Sequence, residues 1–102
     1  MKRIKLALEY KCYPIWIYDE YDQLIDNNIV DELVGESYIV DKLDEIQAIY
    51  NHLFVDDTIQ FQFKGFNSLK DKEHFLALIH EIVPAIEQKL IGQYKIQNKL
   101  IL

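Results

Sequence analysis

Hydrophobic residues change their spacing partway along this chain, and that change limits the folds open to it. From Arg3 to Tyr10 they alternate, with Ile4, Leu6, Leu8 and Tyr10 on one side and Arg3, Lys5, Ala7 and Glu9 on the other. A period of two is that of a strand with one buried face. Near the other end, Phe75, Leu78, Ile79, Ile82, Val83, Ile86 and Leu90 recur at threes and fours, the stripe of an amphipathic helix. The chain has 102 residues, half of them hydrophobic, which is enough for one core and one domain spanning 1–102.

The stretches between these two landmarks read as follows. Pro14 opens a second strand, Ile15-Trp16-Ile17-Tyr18, proline being tolerated at a strand start. Asp19-Glu20-Tyr21-Asp22 is a turn whose last Asp can adopt a left-handed conformation. Gln23 to Asp26 is a short returning strand, which completes a three-stranded meander. Asn27 or Asn28 caps a short helix from Ile29 to about Val34. Ser37 caps a second helix reaching about Phe54, with Ile39, Leu43, Ile46, Tyr50 and Leu53 buried and an acidic outer face. Asp56-Asp57 turns the chain into an alternating strand, Thr58 to Lys64, with Ile59, Phe61 and Phe63 inward. Ser68 caps the long helix, which runs to about Ile91 and stops at Gly92. Pro84 inside it removes a backbone hydrogen bond and clashes with the carbonyl of His80, so a kink or break is expected. The tail from Tyr94 to Leu102 alternates weakly and reads either as a last edge strand or as a frayed end. The expected class is α+β: an antiparallel sheet of four or five strands, the Thr58–Lys64 strand among them, with two or three helices on one face.

The formal net charge of −6 conceals a segregation. Residues 1–18 carry a net +3 and residues 58–102 a net +2, whereas residues 19–57 hold twelve acids and one base, Lys42. Like charges crowded in this way repel one another and lower the stability of the compact state. They either form a solvated face or draw in a cationic partner. Nucleic acid is excluded as a partner by the same balance, since phosphate contacts need clustered Lys and Arg. No stretch approaches 18 apolar residues, so no membrane span is expected. A single cysteine and no signal-peptide pattern point to a reduced, cytoplasmic protein.

No catalytic motif is present. Cys12 has no base near it in sequence, His74 and His80 are six apart on the long helix, and all three glycines stand alone. The acids between Asp19 and Asp26 do not match a calcium loop. His52 with Asp56 and Asp57 offers the one carboxylate–imidazole cluster, the basis of an alternative metal-binding or enzymatic reading. Otherwise neither cofactor nor enzymatic activity is expected. The aromatics say more. Trp16 and Tyr18 cannot share a strand face with Ile15 and Ile17, so if helices cover the isoleucines, the other face meets solvent, another segment or a partner. Aromatic anchors within a polar rim are the usual make-up of a protein interface. The expected partner-binding residues are therefore Trp16, Tyr18, Asp19, Glu20, Asp22, Asp41, Asp44 and Glu45, facing a basic protein. A homodimer formed through the apolar tail and the Trp16 face is a further arrangement the pattern allows.

The run from Leu8 to Glu20, continuing through Leu24-Ile25-Asp26-Asn27, is similar to small immunity proteins of bacterial polymorphic and contact-dependent toxin–immunity systems. The likeness is one of size, acidity and order of elements over about half the chain, and it transfers no individual residue. It implies a cytosolic antidote without catalysis of its own, which binds a cognate toxin domain, often a basic nuclease, and blocks it.

Overall fold

The computed structural model of the protein describes residues 1–56 and 60–100. Strands β1 (Arg3–Leu6), β2 (Ile15–Tyr18) and β3 (Leu24–Asp26) form the antiparallel meander expected from the sequence. A single 3-10 turn (Asp31–Leu33) follows, then helix α1 (Ser37–Asn51), a hairpin of β4 (Phe54–Asp56) and β5 (Phe61–Phe63), helix α2 (Leu69–Leu90) and strand β6 (Lys95–Asn98). The main sheet has the order β3-β2-β1-β6, and both helices lie on one face of it.

The class is α+β, with three departures from the expected arrangement. The sheet is mixed, because β6 pairs parallel to β1. Helix α2 has 22 residues, about 33 Å at 1.5 Å per residue, and returns the chain to the point where β1 begins. There the Lys95 amide donates to the Lys2 carbonyl at 3.0 Å, and Lys99 to Leu6 at 2.7 Å. The tail is thus a strand, with Ile96 against the core and Leu100 buried. Second, β5 does not join the meander. The free edge of β1 is taken by β6, and β5 pairs with the nearby β4 as a separate two-stranded sheet, short loops costing little to close. Phe61 and Phe63, expected inward, are 57% and 60% exposed; Thr58 and Ile59 lie outside the described residues. Third, α1 ends at Asn51, and Phe54–Asp56, expected as the helix end and a turn, is strand.

Local chemistry accounts for the element ends. Strand β1 stops at Leu6, short of Tyr10, where Lys11 takes a left-handed φ of 57° and the Cys12 amide closes a turn onto Glu9. Asp22 ends the β2–β3 turn at φ 62°, the conformation expected of it. Neither asparagine caps the 3-10 turn. Asn27 instead crosses to the preceding loop, and Ser37 is the first residue of α1 rather than its cap. Ser68 does cap α2, its hydroxyl accepting from the Asp71 amide at 3.1 Å. Gly92, at φ 80°, follows the end of that helix. Pro84 does not break α2; its ring is on the exposed side, where it displaces no packing. The core is Ile4, Leu6, Ile15 and Ile17 from the sheet against Ile39, Leu43 and Ile46 of α1 and the seven-residue stripe of α2.

Candidate functional site

Because the helices cover the Ile4/Ile17 face, the opposite face of the sheet is open. Its surface follows from the register. Arg3 sits between Tyr18 and Lys95, and Lys5 sits between Trp16 and Gln97. The Arg3 guanidinium lies 4.1 Å from the centre of the Tyr18 ring, and the Lys5 ammonium lies 5.6 Å from Trp16 and 5.8 Å from Tyr18. Contacts of this kind hold a cation over a ring by the ring's quadrupole. Arg3 also donates to Gln97 at 2.7 Å and to Asp22 at 3.1 Å, tying the β2–β3 turn to the sheet. The Trp16 indole N–H is satisfied by the Ala7 carbonyl at 3.2 Å. The aromatics expected within a carboxylate rim therefore lie beneath cations, with Asp22 at the hairpin end of the face and Glu9 beside Lys5 and Trp16.

The eight residues expected to bind a partner fall into two groups. Trp16, Tyr18, Asp19, Glu20 and Asp22 are contiguous along β2 and its hairpin turn, where Asp19 accepts from the amides of Tyr21 and Gln23. Asp41, Asp44 and Glu45 lie on the exposed side of α1, in the helical layer. The second half of α1 abuts the β1–β2 loop, the Gln47 amide donating to the Glu9 carbonyl, so this group is near the opposite end of β2 from the hairpin turn. Some acids of the negative segment have cationic partners: Asp22 with Arg3, Glu36 with Lys89, Glu45 with Lys42 and His74, and Asp56 with Lys11. Asp19, Glu20, Asp26, Asp31, Glu32, Asp41 and Asp44 have none among the described residues.

This negative field reaches two tyrosines. Burial, then the charge of Asp44, pushes the Tyr13 hydroxyl up to about 12. Burial, then a hydrogen bond to Glu32 and the charges of Glu32 and Asp31, pushes Tyr94 up to about 12 as well. The sequence did not single out Lys5, Lys95 or Gln97. Alternation alone could have placed Lys5 beside Trp16, but the parallel register of β6 has no local signal.

A second surface lies at the β4–β5 hairpin. Phe54 packs against Tyr10, Tyr50, Phe61 and Phe63, with ring centres 5.1–5.3 Å apart. Beside it, an open cavity of about 750 Å³ is lined by Tyr50, Leu53, Phe63, Phe66, Leu69 and Lys72 among others. The alternative metal cluster does not assemble from the described residues. Asp56 is engaged by Tyr10 and Lys11, His52 is the exposed cap of α1, and Asp57 lies outside the described residues. No group of three potential ligands is found among the described residues.

A comparison with family models matches residues 2–98 to the family described as Serratia CdiI immunity protein-like. The chain belongs to that family. As a CdiI-like immunity protein it is assigned the neutralisation of a cognate toxin of contact-dependent inhibition, in a family that is generally non-enzymatic. A comparison with curated proteins finds no match. Among the described residues, no helix is long and apolar enough to cross a membrane.

Proposed function

We propose that this CdiI-like chain is a stoichiometric, cytoplasmic inhibitor of a basic toxin nuclease, and that it has no catalytic role itself. One observation carries the reading: twelve of seventeen acids are concentrated in residues 19–57, and seven of them have no cationic partner among the described residues. Such a surface competes with nucleic acid for the cations of a nuclease groove. Trp16, Tyr18, Asp19, Glu20 and Asp22 form the contact region along β2 and its turn. Asp41, Asp44 and Glu45 act at longer range, raising the encounter rate rather than touching the toxin first.

The test is the association rate with the toxin domain encoded beside this chain. The double substitution Asp41→Lys with Glu45→Lys should slow association by roughly 10-fold or more at low salt and leave dissociation nearly unchanged. An unchanged rate, together with salt-independent association of the unaltered protein, would remove the electrostatic part of the proposal.

A further inference from the structure

The open face of the main sheet carries charge of the wrong sign for a basic partner. Arg3, Lys5 and Lys95 stand on neighbouring strands around Trp16, Tyr18 and Leu24, in a protein whose formal net charge is −6. Arg3 is engaged by Asp22 and Gln97. Lys5 and Lys95 have no carboxylate within ion-pair distance among the described residues, and Lys95 is exposed. The Lys5 stem and the two rings give this face an apolar floor, and Leu24, about half exposed, extends it towards the edge strand. Beside Lys5 and Trp16 is a depression of about 370 Å³, whose lining includes one carboxylate, that of Glu9.

We infer that this face receives an acidic segment of the cognate toxin, with its carboxylates over Lys5 and Lys95 and an apolar side chain on Trp16 and Tyr18. The inference rests on the toxin-binding reading above and adds the chemistry of the toxin's contact. The cations here would repel a uniformly basic surface. The carboxylates that bracket the face, Asp19, Glu20 and Asp22 at the hairpin and Glu9 at the far end, would repel a continuous polyanion. A protein segment with acidic residues at its centre and basic ones beyond satisfies both. Opposite charges in a fixed order also set register and reject mismatched partners. The interface would then discriminate among toxins by the order of charge and not by its total.

The test compares binding of the adjacent-encoded toxin domain to four proteins: the unaltered chain, Lys5→Glu with Lys95→Glu, Lys5→Met with Lys95→Met, and Lys70→Glu. The sheet-face reversal should weaken Kd by roughly 10- to 100-fold and the methionine pair by less. The control on the first turn of α2 should stay within about 2-fold, the range of an uninvolved exposed charge. If the reversal fails to fold by circular dichroism, the methionine pair decides. A weakened Kd supports the inference, and an unchanged one overturns it. If the unaltered chain binds and the sheet-face variants bind equally well, this inference falls while the inhibitor reading stands. If the unaltered chain does not bind, both fall. Tight binding of a single-stranded oligouridylate that is lost in the Lys5→Glu variant, with toxin affinity unchanged, would assign the face to nucleic acid and overturn the inference.

Discussion

Asn27 ties down the C-terminal end of the β1–β2 loop. Its side-chain oxygen accepts from the Tyr13 amide at 2.8 Å, and its amide donates to the carbonyls of Tyr13 at 2.6 Å and Ile15 at 2.9 Å. Asn27→Ala would leave three backbone groups without these partners in a half-buried region. We expect a loss of about 1–3 kcal/mol, read as a lower urea midpoint at unchanged slope. Tyr13 beside it shows the opposite sign. Its hydroxyl is buried without a hydrogen-bond partner among the described residues, so Tyr13→Phe should raise stability at neutral pH by about 1 kcal/mol. The same residue, with Tyr94, gives a pH dependence. Both hydroxyls are pushed up to about 12 from an ordinary value of 10.0. The folded state therefore holds its protons more tightly than the unfolded state does. The stability this provides is complete below pH 10 and is lost as pH rises from about 10 to about 12. Tyr13→Phe should flatten that alkaline decline, as followed by unfolding midpoints across the range.

The elements were legible wherever a periodicity ran long enough and both its partners were local. The seven-residue stripe of α2, its Ser68 cap and the β1–β2–β3 meander could all be read directly, because hairpin neighbours and helix turns are specified within a few residues. The strand Phe61–Phe63 could not be placed. Its alternation is compatible with any edge, and it pairs with β4 while β6 holds the edge of β1. The same distant pairing of β6 hid the site. Trp16 and Tyr18 were identifiable as surplus aromatics, and the cations over them come from β1, but the face is completed by Lys95 beside Arg3, 79 residues from Trp16. Of the kink or break expected at Pro84, the break does not occur, since α2 is continuous through it. The helix still lacks that amide donor, and the exposed ring makes no compensating core contact. Pro84→Ala should therefore stabilise the protein by on the order of 2 kcal/mol in denaturant unfolding, the gain coming from the restored hydrogen bond and relieved crowding at His80.

For the whole molecule, the distribution of charge sets folding and binding against each other. The segment 19–57 carries its acids around the hairpin turn, the 3-10 turn and α1, and seven of them lack cationic partners among the described residues. Their mutual repulsion lowers the stability of the free protein, while the same field accelerates capture of a basic toxin. Salt separates the two effects. Raising ionic strength from about 0.01 M to about 0.1 M shortens the Debye length from about 30 Å to about 10 Å. Repulsion between exposed acids more than about 10 Å apart is then largely screened, while close ion pairs such as Lys89–Glu36 at 3.1 Å persist. Melting temperature should therefore rise over this range while the association rate with the toxin falls. Dissociation should change less, because groups in contact are screened weakly. Asp41→Asn with Asp44→Asn should reproduce both changes at low salt, giving a higher melting temperature and slower association. A fall in melting temperature with added salt would mean that the paired acids, not the unpaired ones, dominate the electrostatics of the fold, and the assignment of the acidic segment to toxin capture would lose its thermodynamic basis.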